Sequence, residues 1–333
     1  MKNDEEGSRI AIIMNGSPLF TGDAGSGESE IRRYVLENDL VEGIVAMPEQ
    51  LFYNTGISTY VWILTNKKSD ERKGKVQLVN AVDFYEKMRK SMGNKRNQIS
   101  NSQIDEIVRI YGQFKEGENC KIFDNEDFGY KKITVERPLK MSFKITNETI
   151  SKVKESNIFK KIASSRKIGE AGEIEIEEGK KLQNSIISIL NDLRSEEIYL
   201  NKEEFTEKLK KAFKEENIKV SAGVLKGILQ GLGQKDEKAE VSRDSKGNLE
   251  ADPDLRDTEN VPLKENIQEY MAREVIPHVN DAWIDKKKTK IGYEIPFTRY
   301  FYKYTALRSS EDIMKDIRDI EKNINEKLER LLG

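Results

Sequence analysis

The chain has 333 residues, with 57 Lys and Arg against 59 Asp and Glu, a formal net charge of -2, and 36% hydrophobic beside 35% charged residues. That length suits two or three domains with ordinary cores, while one cysteine (Cys120) and one histidine (His278) exclude a disulfide framework and an all-His/Cys metal site. No run approaches the roughly 18 apolar residues that span a bilayer, and the charged start MKNDEEGSR lacks the apolar centre of a signal peptide, so the chain reads as cytoplasmic, with no metal and no membrane. A near-neutral balance leaves any phosphate contact to local patches or to a partner.

Residues 9–14, RIAIIM, predict a strand covered on both faces and closed by the turn former NGSP. The loop TGDAGSGES follows, with Gly22, Gly25 and Gly27. Its spacing fits neither G-x-G-x-x-G nor a P-loop, and Asp23 and Glu28 repel phosphate. It reads as a flexible surface loop, with a nucleotide-binding enzyme as the remote alternative. SEIRRYVLENDL predicts a helix capped at Ser29 with Ile31, Val35 and Leu36 at helical spacing, and VEGIVAMP a second buried strand. VWILTN and KVQLVNAV supply a third and a fourth strand, and the polar KKSDERKG between them predicts a hairpin. One helix among these strands cannot cover both faces, so the sheet is expected to be incomplete, with its remainder N-terminal to residue 1.

The stretch LFYNTGIST places Phe52 and Tyr53 on the lip of the third strand. They read either as ordinary core, with Gly56 in a tight bend, or as a flat apolar face on which a planar base stacks. Residues 84–116 are predicted helical. Their first part carries Lys87, Arg89, Lys90, Lys95 and Arg96, a phosphate-contact candidate or simply a solvated helix face. Their second part has a serine cap and apolar Ile104, Ile107, Val108 and Tyr111.

Residues 150–230 show charged helical periodicity, and 233–262, poor in large apolar residues, reads as a loop or linker. At the end, Ile313, Ile317, Ile320, Ile324, Leu328 and Leu331 form one apolar stripe, which closes on helices of its own chain or pairs with a partner helix. His278 has no G-x-S-x-G elbow to serve and reads as structural. The 59 acids offer no spacing that selects a hydrolase pair.

Taken together, RIAIIMNGSPLFTGDAGSGESEIRRYVLENDLVEGIVAMPEQLFYNTGISTYVWILTNKK resembles the second half of the catalytic domain in the modification subunit of type I restriction-modification systems, an N6-adenine DNA methyltransferase. DFGYKKITVERPL and HVNDAWIDKKKTKIGYEIPFTRYFYKYTALRSSEDI resemble the family's C-terminal region. The resemblance implies the C-terminal part of a Rossmann-like, S-adenosylmethionine-dependent α/β methyltransferase sheet over 1–145. A mostly helical C-terminal region would follow, divided as a charged helical region (146–232), a linker (233–262) and a region ending in a subunit-contact helix (263–333).

By the same resemblance, Phe52 falls on the aromatic that stacks on the extruded adenine, with Tyr53, Asn54, Thr55 and Gly56 lining the pocket mouth. The family's catalytic tetrapeptide, Asn or Asp followed by two prolines and an aromatic, is absent, since none of the seven prolines adjoins another, and the glycine-rich cofactor motif is absent too. The expectation is therefore the portion after the tetrapeptide, starting at an internal methionine, with no S-adenosylmethionine bound by this chain alone. Implied partners are DNA, a sequence-recognition subunit, a second modification subunit and a restriction subunit. The alternative is a non-catalytic module that assembles with the recognition subunit.

Overall fold

The computed structural model describes residues 7–244, 246–304 and 307–332, so the chain's start at Met1 lies outside the described residues. Two units emerge: one drawn from residues 1–129 and 292–333, the other from 130–291.

The first unit is α/β. Its elements are β1 (Arg9–Asn15), α1 (Ser17–Phe20), α2 (Gly27–Glu37), β2 (Val41–Met47), β3 (Thr59–Thr65), β4 (Lys75–Asn80), β5 (Glu86–Met92), β6 (Lys95–Gln98), α3 (Asn101–Gln113) and β7 (Cys120–Asp124). The main sheet runs β1-β3-β2-β4-β7, with β2 and β4 parallel and the other pairs antiparallel. VEGIVAM is almost wholly buried, as befits a central strand. Val45, Val79, Ala81 and Cys120 form a core against which Ile107, Ile110 and Tyr111 of α3 pack. A capping box between Ser100 and Gln103 starts α3 where the expected serine cap lies.

Several expectations change here. KKSDERKG does not close a hairpin: β4 pairs with β2 in parallel, because β2 inserts between β3 and β4. Residues 84–116 are not helical throughout. Lys87, Arg89, Lys90, Lys95 and Arg96 lie on an antiparallel β5–β6 hairpin, and only α3 is helix. Helix α2 is capped by Ser26, whose side chain accepts from the Ser29 amide. Its buried face is Ser29, Arg32 and Leu36, while Ile31 is exposed. Strand β1, expected to be covered on both faces, is mostly exposed and has a ladder only with β3 among the described residues.

Buried Arg32 also reorganises the glycine loop. Its guanidinium donates to the carbonyls of Tyr293 (2.6 Å), Pro18 (3.1 Å) and Gly22 (3.4 Å). The returning segment at 292–301 is locked further by Tyr293 N donating to Ser29 Oγ (3.1 Å) and by Phe297 meeting Tyr60 edge to face. The loop expected to be flexible is thus a bonded turn, with Gly22 and Gly25 at positive φ.

The second unit opens with β8 (Gly129–Glu136), which pairs antiparallel with β11 (Asp257–Pro262) and β12 (Trp283–Ile284). A helical layer holds α4 (Asn147–Glu155), α5 (Asn157–Lys160), α6 (Glu170–Asp192), α7 (Lys202–Glu215) and α8 (Ala222–Leu232), close to the helical pattern read over 150–230. Its core includes Phe143, Ile186, Leu190, Phe205, Leu209 and Leu232, with Phe143 stacked on Phe205 at 4.9 Å. Residues 233–262, expected as a linker, instead hold β10 (Gly233–Lys235), which pairs with β9 (Met141–Phe143), and β11. These strands are short and polar, so their burial pattern is weak in the sequence. His278 is exposed. In the first unit's C-terminal part, a long helix spans Ser310–Leu332.

Candidate DNA interface

The loop at residues 50–56 closes on itself before β3 begins. Gln50 takes a positive φ of 59°, its amide donates to the Gly56 carbonyl at 3.3 Å, and Phe52 bridges to Thr55. Phe52 is half-buried and Tyr53 is 61% exposed, so neither ring is sealed in the core. Asn54 is exposed, and Thr55 and Gly56 are half-buried. Gly56 is not required by a tight bend, since a Cβ there would meet only Gln50 Cγ at an ordinary 3.7 Å.

The hairpin is stitched to this loop. Asn94 N donates to Tyr53 O (3.0 Å), Arg96 N and Asn97 N donate to Gln50 O (3.0 and 3.2 Å), and Asn97 Nδ2 donates to Glu49 O (2.9 Å). Met92 pairs with Lys95 across a two-residue turn, Gly93 and Asn94, with Gly93 at φ 63°. A Cβ at Gly93 would lie 2.6 Å from Tyr53 O, so the close approach of the two segments demands glycine. Lys95 Nζ sits 5.3 Å from the centroid of the Tyr53 ring, a cation–π distance.

Two groups of residues that the sequence keeps apart therefore meet. The aromatic loop and the basic hairpin are joined, with Lys95 over the Tyr53 ring and the other four cations elsewhere on the same hairpin. Lys87, Arg89, Lys90 and Arg96 are exposed, and none of the five cations makes an ion pair among the described residues. Such a surface can hold a phosphate backbone beside a planar base. Behind the loop, burial first and then the Glu49 carboxylate raise the pKa of the Tyr60 phenol, which stays protonated. Sequence reasoning missed Gln50, Gly93 and Asn97; the Gly-Asn pair at 93–94 is the hairpin signal that could have exposed them.

The predicted partner-helix residues lie on a separate surface. Ile313, Ile317, Ile320, Ile324 and Leu328 are 44 to 58% exposed and Leu331 is 80% exposed, so the stripe is not closed against the chain's own helices. For S-adenosylmethionine, the glycine loop does not fit. A Cβ at Gly22 would sit 2.3 Å from Ser26 Oγ, and the Gly22 carbonyl already accepts from Arg32. No group of three or more His, Cys, Asp or Glu suited to a metal occurs among the described residues.

The family model for N-6 DNA Methylase matches residues 1–161. A type I restriction enzyme MjaIX methylase subunit of Methanocaldococcus jannaschii is 31% identical over 172 residues, which is 51% of this chain and 30% of the relative. The MjaVIII methylase subunit of the same organism is 34% identical over 120 residues, 36% of this chain and 20% of the relative. The chain thus spans under a third of the length of these curated relatives. Among solved structures, a type I restriction-modification methyltransferase subunit from Streptococcus thermophilus overlaps 36% of this chain and 24% of its own, at 24% identity and a TM-score of 0.31. The 50–98 surface lies wholly inside residues 1–161, the part of the chain that matches the N-6 DNA Methylase family model and is similar to methylase subunits of type I restriction enzymes.

Proposed function

We propose that this chain is part of a type I modification subunit whose intact enzyme transfers a methyl group from S-adenosylmethionine to adenine N6 in DNA. The observation that carries this reading is the joined loop and hairpin, which brings Phe52 and Tyr53 onto the hairpin that carries Lys87, Arg89, Lys90, Lys95 and Arg96, with Lys95 over the Tyr53 ring, within the family-matched residues. In this reading the donor supplies the methyl group, and this chain's residues hold the target. Phe52 stacks on the extruded adenine, Tyr53, Asn54, Thr55 and Gly56 shape the pocket mouth, and the hairpin cations take the flanking phosphates.

The open edge of β1 supports the idea that further strands of the parent sheet pair there, since Ile10 and Ile13 are exposed on a strand with the composition of an interior one. The Ser310–Leu332 helix is the proposed joint to the sequence-recognition subunit, its stripe packing into a partner groove or bundle. A second modification subunit and a restriction subunit complete the proposed assembly, in the cytoplasm. No helix among the described residues is long and apolar enough to cross a membrane.

Two measurements test this. Phe52→Ala in an intact enzyme carrying this segment is expected to weaken base capture by about 1–3 kcal/mol, the range for base–aromatic stacking; unchanged catalytic efficiency would count against the assignment. This chain alone is expected to transfer no methyl group, and measurable incorporation into DNA would defeat that claim. The second reading, a non-catalytic assembly module, is favoured by the exposed terminal stripe. Co-purification with a recognition subunit suits both readings, while crosslinking of an extrahelical base to Phe52 suits only the first.

A further inference from the structure

Every hydrogen bond described above between the hairpin and the aromatic loop runs in one direction. The donors are Asn94 N, Arg96 N, Asn97 N and Asn97 Nδ2, and the acceptors are the carbonyls of Glu49, Gln50 and Tyr53. Asn97 is buried at 7% exposure, on a hairpin whose other side chains are mostly exposed. A surface hairpin that only carried charge would have no need of a buried amide aimed at a carbonyl 48 residues away. Nor would it need a glycine forced by contact with Tyr53 O.

We propose that Gly93 and Asn97 are positioning residues for base capture: they make the basic hairpin and the aromatic loop one clamp, so that seating a DNA backbone on the cations fixes where Phe52 and Tyr53 stand. This rests on the base-capture reading above and adds to it a mechanical link. The physical basis is preorganisation. A seven-residue loop over 50–56 has several backbone conformations, and fixing its ends and its Tyr53 carbonyl removes that freedom before the base arrives. The left-handed Gln50 is held because its amide and its carbonyl are both bonded.

The test uses the full chain and a 20-base-pair duplex carrying one bulged 2-aminopurine, with the fully paired duplex as reference. Wild type is expected to prefer the bulged probe and to quench its fluorescence. Gly93→Ala and Asn97→Leu, the latter close in size but without the donor and adding no charge, are expected to lose about tenfold of that preference, the scale of one or two hydrogen bonds. Their salt dependence of DNA affinity should stay unchanged, because the cations remain. A merely structural role would lower both together. Retained preference in both variants overturns the inference and leaves the base-capture reading standing; no preference in wild type overturns that reading itself. If a variant fails to fold, hydrogen exchange in wild type decides. DNA should protect residues 94–97 and 50–56 together, and protection of the hairpin alone overturns the proposal.

Discussion

One set of cations in the second unit and those of the β5–β6 hairpin have the same chemistry and opposite fates. In the second unit, Arg256 and Lys288 converge on buried Glu136, Arg137 and Lys140 on Asp281, Lys235 on Asp252 and Asp254, and Lys202 on Glu250. On the hairpin, Lys87, Arg89, Lys90, Lys95 and Arg96 have no carboxylate partner among the described residues. Paired charges neutralise one another and stitch strands; charges left unpaired beside two aromatics keep their field for an external anion. A net charge of -2 averages over both and conceals the difference.

Substitutions should separate the two regions. The largest effect belongs to the second unit's core, where Phe205→Ala removes a fully buried ring stacked on Phe143 and is expected to cost about 3–5 kcal/mol in denaturant unfolding. Arg256→Ala strips one of two partners from Glu136. Because the arginine is 41% exposed, the expected loss is only about 1–2 kcal/mol, and a loss near zero would mean the pairing is ornamental. Lys87→Ala on the hairpin should change stability by less than about 0.5 kcal/mol yet lower the salt slope of duplex binding by about 0.9. An unaltered slope would place that lysine outside the interface.

The smallest effect concerns pH. Burial pushes the Asp252 carboxyl up, but bonds from Lys235 and the Asp254 amide outweigh it and hold its pKa below the ordinary 3.8. Its contribution is therefore present above that value and lost as pH falls through the lowered folded one. Asp252→Asn should be less stable than wild type at neutral pH, with the gap closing below about pH 4. A gap that is constant from pH 7 to pH 3 would remove the carboxylate from the account.

Much of the first unit was legible because its strands are long and apolar. RIAIIM, VEGIVAMP, VWILTN and KVQLVNAV all became strands, and the capped helix after Ser100 appeared as read. What the sequence concealed was set by distant partners. Arg32 looks like an outer-face residue until the carbonyl of Tyr293, 261 positions away, is brought beside it. The hairpin resembled a solvated helix because its backbone amides and the Asn97 side chain answer to the carbonyls of Gln50, Tyr53 and Glu49, a constraint no local window contains. The same holds for β4, whose parallel neighbour β2 precedes β3 in the chain. In the sequence only the family resemblance singles out Phe52, whereas its half-exposed setting and the bonds that join its loop to the hairpin required coordinates.

The most direct measurement is photocrosslinking of this chain to a duplex carrying 5-iodouracil at an extrahelical position, followed by peptide mapping. Adducts concentrated at Phe52 and Tyr53, and abolished when the probe is fully paired, are the predicted result. Adducts confined to residues 130–291, or indifferent to whether the base is extruded, would contradict it.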